Sequence, residues 1–170
     1  VSVSIDYTLA NTHLDPQHPY PYPWNAVSAA RGDAMAALRF LRAHASEYGI
    51  DPQRVAVGGA AARAMTALEV AYGSTPADRD PGILAVVDLW GAIESQTLLQ
   101  RGDAPLLIFH GTADHLWMPY QHALDLRDSA HAMDVPCKLV PLQGRGHGPW
   151  DGLDAYLGDI RPFLRNHLGS

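Results

Sequence analysis

The stretch DPQRVAVGGAAARAMTALEVAY, from Asp51 to Tyr72, decides the fold. It turns at Asp51-Pro52, reads as a short β-branched strand over residues 54–57, breaks at a Gly58-Gly59 turn and enters an Ala-rich helix starting near Ala61. β-branched residues suit a pleated strand, alanine suits a helix, and glycine lets the backbone reverse between them. The turn then stands at the carboxyl end of a strand, where open α/β sheets hold their working groups.

Working outward, the same alternation of strand and helix recurs. Upstream, residues 1–7 (VSVSIDY) are β-rich and half alternating, which predicts a strand. Residues 11–24 hold Pro16, Pro19, Pro21 and Pro23, which exclude regular structure. From Asn25 to Tyr48, Val27, Met35, Leu38 and Leu41 fall at helical spacing, and Gly49 is placed to end that helix. Downstream, residues 83–90 (ILAVVDLW) and 105–110 (PLLIFH) are nearly all apolar, as strands covered on both faces are. Residues 91–102 hold room for a short helix. A helix is expected over 118–133, a strand over 135–142 and a closing helix over 150–168. This predicts one α/β domain over residues 1–170, with a mostly parallel sheet of about five strands and helices on both faces.

Bulk properties narrow the function. The 170 residues are 47% hydrophobic and 18% charged, which fits a folded domain with a sizeable core. The formal charge of −6 disfavours nucleic acid and anionic membrane as partners, because both reward basic patches. No apolar run approaches the ~18 residues of a membrane span, and no signal peptide is visible. One cysteine, Cys137, excludes a disulfide within the chain and suits a reducing or redox-indifferent setting, so a cytoplasmic location is the expectation and secretion the alternative.

Three strand ends carry the chemistry. They are the Gly59-Ala60-Ala61-Ala62-Arg63 turn, the loop His110-Gly111-Thr112-Ala113-Asp114, and the loop Gly144-Arg145-Gly146-His147-Gly148. The stretches YGIDPQRVAVGG, FHGTADHLWMP and PLQGRGHGPW resemble, in that order, the nucleophile, acid and histidine segments of α/β-hydrolases of the esterase/lipase kind. Alkyl-ester, acetyl-xylan and kynurenine-formamidase-like esterases are the nearest in pattern. The family motif is G-x-S-x-G, with the serine on a strained strand-to-helix turn. The resemblance implies carboxylic-ester hydrolysis without a cofactor or metal, on a small-molecule ester or carboxylate ligand. It assigns Asp114 as triad acid, His147 as triad base, and the backbone N–H of Ala62 as an oxyanion donor.

The chain departs from the family at three points. The nucleophile position falls on Ala61, whose methyl group cannot attack a carbonyl, so an inactive variant is expected. Arg63 stands where the last motif glycine lets helix and strand approach, and must either project into the site or push the helix outward. The family's second oxyanion donor follows a strand that would precede Val1, and the chain is expected to lack the family's N-terminal strands. In the family's sheet that strand lies between the ones matching residues 1–7 and 54–57. Leaving a gap there would cost roughly 1–3 kcal/mol for each buried unpaired backbone group. Either the first strand shifts across, or a homodimer or second chain completes the sheet, or the sequence is a fragment. The alternative function is a non-catalytic binding or oligomerising module.

Plainer readings stand beside these. Asp114 alone could cap the following helix, and His147 alone could be a loop residue. Trp117, Trp150 and Tyr120 could line a ligand pocket with Gly59 and Arg63, or pack the edge of the core. His110, His115 and His147 lack the spacing of a metal site. Cys137, inside an expected strand, reads as a small buried hydrophobe.

Overall fold

The computed structural model describes residues 1–7, 24–73, 75, 79–93, 98–115 and 118–169. Helix α1 (Trp24–Ala43) and the single turn α2 (Ala45–Tyr48) precede strand β1 (Val55–Ala60) and helix α3 (Ala62–Tyr72). Strands β2 (Ile83–Leu89) and β3 (Leu106–Gly111) follow, then α4 (Tyr120–Ala132), β4 (Cys137–Leu142) and α5 (Leu153–Leu168). The strands pair in parallel in the order β1-β2-β3-β4.

The apolar runs explain the layering. On one face Val86, Leu106 and Ile108 meet Leu38 of α1, Leu68 and Tyr72 of α3 and Leu126 of α4. On the other, Leu107 and Phe109 meet Tyr156 of α5, with Ile160 and Phe163 packed against them. Strand β3 is buried at every position because helices cover both its faces. Helix α3 is buried from Ala64 to Tyr72, since it lies between the sheet and α1. That is why its sequence is apolar nearly all round. Arg79 pins the far end of this layer. It donates to the carbonyls of Tyr72, Gly73 and Leu98 and pairs with Asp103 at 2.8 Å.

Three sequence expectations need correction. Strand β1 does not break at Gly58-Gly59. It runs through both glycines to Ala60, and the reversal falls on Ala61. Gly58 is needed in the strand because a Cβ there would sit 2.9 Å from the Val87 carbonyl oxygen. The helix expected over 25–48 is interrupted at His44, where the backbone leaves helical geometry before α2 closes on Gly49 in the left-handed conformation. Residues 1–7 form no strand, so the sheet has four strands among the described residues, not five. No described strand pairs with them, and a strand without a ladder partner is not held. The region of the expected short helix after Gly91 falls partly on residues 94–97, outside the described residues.

Residues 1–5 and Tyr7 instead line one wall of a cavity of about 600 Å³, whose other wall is the β1 edge that is unpaired among the described residues.

Candidate active site

The elbow between β1 and α3 is built by close approach. A Cβ on Gly59 would lie 2.5 Å from the Arg63 carbonyl carbon and 2.8 Å from the Ala64 nitrogen, so only glycine lets the helix start this near the strand. Ala61 then takes φ 52° and ψ −124°, a conformation that an L side chain rarely adopts. Its N–H donates to the Leu89 carbonyl at 2.9 Å, and its own carbonyl accepts from Ala64 and Met65. The N–H of Ala62 belongs to the first turn of α3, whose donors have no acceptor within the helix. It is available to a bound oxygen. Arg63 resolves the dilemma set by its sequence position in a third way. Its backbone stays against Gly59, and its exposed side chain lies along the β1 edge with the guanidinium 5.8 Å from the Tyr7 ring centre.

The acid and histidine loops are held against each other by a second close approach. A Cβ on Gly111 would lie 2.8 Å from the Arg145 carbonyl carbon and nearer still to the carbonyl oxygens of Arg145 and Gly146. Ala113 donates to the Arg145 carbonyl at 2.9 Å, Thr112 to Leu142 at 3.1 Å, and the Gly144 N–H to the Thr112 hydroxyl at 2.9 Å. This lacing brings His147 to Asp114, where Nδ1–H donates to Oδ2 at 2.7 Å. Asp114 is 2% exposed, while the His147 side chain is 21% exposed. The bond fixes the imidazole with its lone pair on Nε2, the form that accepts a proton. The Asp114 side chain does not cap α4, whose N-terminal flanking residue is Pro119. Only its backbone carbonyl takes part there, accepting from Tyr120 at 3.0 Å.

His110 adds a group that the sequence had pointed to only as a metal candidate. It is fully buried, donates from Nε2 to the Met118 carbonyl at 2.7 Å, and lies 3.6 Å from Asp114 Oδ2. Burial lowers its pKa, so it is neutral at neutral pH. The clue was a single polar residue closing the apolar run PLLIFH. Asp88, in the middle of the sheet, was missed. One oxygen accepts the Gly91 N–H at 2.7 Å, and burial pushes the carboxyl up to about 7.

The remaining expected residues are spread around this centre. Trp150 is 57% exposed and meets the buried Trp90 edge-on at 5.1 Å. Trp90 carries φ 47° and touches Tyr156, whose hydroxyl donates to the Pro149 carbonyl and so props the histidine loop from below. Tyr120 stands 6.0 Å from the His110 ring. Trp117 lies outside the described residues. His115 is exposed, and among the described residues no group of three or more His, Cys, Asp or Glu is placed to hold a metal. Cys137 is half-buried, and burial pushes its thiol up to about 12.

No protein-family model matches the chain. Over 146 residues, 83% of the chain, it is 31% identical to the carboxylesterase NlhH of Mycobacterium tuberculosis, of which it covers 40%. Over 111 residues it is 32% identical to the esterase LipI of the same organism, covering 31% of it. The chain thus spans less than half the length of the curated relatives it matches. Among solved structures, it resembles the thermophilic esterase Est2 of Thermogutta terrifontis with a TM-score of 0.70 at 22% identity, covering 82% of this chain and 64% of that one. It also resembles a truncated carbohydrate esterase from gut microbiota, with a TM-score of 0.70 at 18% identity, covering 84% and 69%. These two likenesses carry the fold.

Proposed function

We propose that this chain, which resembles carboxylesterases in sequence and esterases in fold, is of α/β-hydrolase type and that its site is that of a serine ester hydrolase without the attacking oxygen. The chain as written binds a small ester or carboxylate and does not turn it over. One observation carries this reading. An assembled Asp114–His147 pair, bonded at 2.7 Å, accompanies an elbow whose strained residue is Ala61.

In this reading each group keeps its part. The Ala62 N–H points a donor at a carbonyl or carboxylate oxygen, where a pre-aimed dipole stabilises developing charge. His147 Nε2 is poised to accept a proton, and Asp114 holds the ring and offsets the charge it would gain. No hydroxyl supplies that proton at Ala61, so the covalent step has no start. Trp150, backed edge-on by the buried Trp90, gives the histidine side of the site an apolar flank suited to the non-polar part of a ligand.

The test restores the missing atom. Hydrolysis of p-nitrophenyl acetate is measured for the parent, for Ala61→Ser and for Ala61→Ser/Arg63→Gly. The parent is expected to stay at background. At least one serine variant should exceed it by about 10²-fold or more, as positioned general-base catalysis gives. Serine variants that are folded, keep the hydrogen-bonded His147 Nδ1–H signal and still remain at background would remove the reading. A parent that already hydrolyses the ester would remove the claim of inactivity.

A further inference from the structure

Asp114 faces two imidazoles through one oxygen. His147 Nδ1 lies 2.7 Å from Oδ2, and His110 Nε2 lies 3.6 Å from the same atom. The first distance is a hydrogen bond, and the second is too long for one. The His110 ring directs its N–H elsewhere, to the Met118 carbonyl at 2.7 Å. A carbonyl oxygen only accepts, so the proton stands on Nε2 and the lone pair on Nδ1. That Nδ1 is buried and meets no hydrogen-bond partner among the described residues.

Two bonds strap the acid segment to β3, and a third closes the segment on itself. The Asp114 N–H donates to the Gly111 carbonyl at 3.2 Å, and the His110 ring reaches across to Met118. The Tyr120 N–H then returns to the Asp114 carbonyl at 3.0 Å. Strand β3 is buried at every position, so the His110 ring is held as firmly as the sheet. Met118 is itself fully buried, and its carbonyl would have no donor if the ring withdrew. The segment would have to move to find one, and Asp114 would move with it.

We propose that His110 is a positioning residue for the Asp114–His147 pair: its neutral imidazole anchors the acid segment through Met118 and leaves Oδ2 to His147 alone. This deepens the reading above, in which that pair is the proton acceptor, and it concerns the pair whatever stands at position 61. A charged His110 would carry a second N–H at Nδ1 with nothing there to accept it, and would compete with His147 for one oxygen. The charged and titratable groups facing the ring are Asp114, His147 of the loop after β4, and His122 of α4. The Tyr120 ring stands 6.0 Å away. Burial is the largest influence and disfavours the charged ring, and the two histidines add to it. Asp114 and the bond to Met118 act the other way without overcoming it.

The experiment reads the whole chain by NMR and needs no hydrolysis. His110→Gln keeps an N–H about where Nε2 stands, and His110→Phe keeps a buried ring without one. The hydrogen-bonded His147 Nδ1–H should exchange with water about tenfold faster or more in His110→Phe, and within about threefold of the parent in His110→Gln. In the parent, the His110 ring nitrogens should hold the Nε2–H form from about pH 8 down to about pH 6, where an ordinary imidazole is mostly charged. Thermal melts record the stability of each variant. A His110→Phe chain that melts earlier yet keeps the parent's exchange rate makes His110 a purely structural histidine and overturns the proposal. A folded His110→Gln chain that loses the signal also overturns it. Should His110→Phe fail to fold, the parent and His110→Gln decide. A proton resting on Nδ1 of His110, or a ring that charges above about pH 6, counts against the proposal, and the Nε2–H form with a parent-like His110→Gln supports it. Absence of the His147 signal from the parent would strike the pair and the reading above together. With that signal present, the overturning results strike the role of His110 alone.

Discussion

Replacing Gly111 with alanine tests the lacing that brings His147 to Asp114. The added Cβ would stand 2.8 Å from the Arg145 carbonyl carbon, and closer to two carbonyl oxygens. Ordinary carbon contacts sit at about 3.5–4.0 Å, so one loop must retreat by about 1 Å. The atoms in the way are backbone, and no side-chain rotation relieves the clash. A retreat of that size breaks the 2.9 Å bond from Ala113 to Arg145 and carries His147 away from its 2.7 Å bond to Asp114. Overpacking costs about 1–3 kcal/mol, and each lost hydrogen bond about 0.5–1.5 kcal/mol. The sum is about 2–6 kcal/mol, which for a domain of this size lowers Tm by roughly 4–24 °C. Thermal unfolding reads the stability, and the downfield NMR signal of the His147 Nδ1–H, hydrogen-bonded to Asp114, reads the pair. In Gly111→Ala the imidazole loses its carboxylate, so the hydrogen-bonded Nδ1–H signal is lost. A variant with Tm within about 2 °C of the parent and an unchanged His147 Nδ1–H signal would show that the Gly111 approach does not hold the site together.

Two further outcomes follow from burial and from backbone strain. Asp88, raised to about 7 by burial, holds its proton in the folded chain and loses it near pH 4 in the unfolded one. Its share of the stability is therefore complete below about pH 4 and falls away as pH rises towards 7. Urea midpoints at pH 5 and pH 8 should differ less in Asp88→Asn than in the parent. His110, lowered by burial, contributes the opposite slope below about pH 6.5 in both proteins and drops out of that difference. An equal difference in the two proteins would show that Asp88 is not protonated when folded. Ala61→Gly relieves about 1–3 kcal/mol of backbone strain and costs about 0.5–1 kcal/mol of chain entropy. A Tm rise of a few degrees is expected, and a fall would mean that Ala61 rests there without strain.

The sheet and its helices were legible because burial on two faces writes itself as continuous apolar runs, as in residues 83–89 and 106–111. The order of the strand-end loops was legible from the three segments PQRVAVGG, FHGTAD and GRGHG. Where the reading failed, non-local packing overrode a local preference. Gly58 and Gly59 looked like the turn, yet glycine there serves the press of β2 and α3 against β1, and alanine takes the strained corner. The alternation in residues 1–7 is a genuine strand pattern, but a strand forms only beside a partner, and a pattern does not reveal whether one is in reach. Asp88 escaped notice because a single acid in an apolar run leaves no periodic trace. Its meaning lies in Gly91, three residues on, and in the burial of both.

The backbone bonds at the strand ends reach beyond the strands themselves. Ala61 bonds back to Leu89, Trp90 to Phe109 and Thr112 to Leu142, so each loop is tied to its neighbour at its root. A residue inserted beyond these ties lengthens a loop and leaves the register of the sheet alone. One inserted before them shifts the elbow, the acid and the histidine relative to one another. The molecule therefore separates a rim that tolerates change in length from a platform that does not. New specificity is best sought by grafting loops outside the ties.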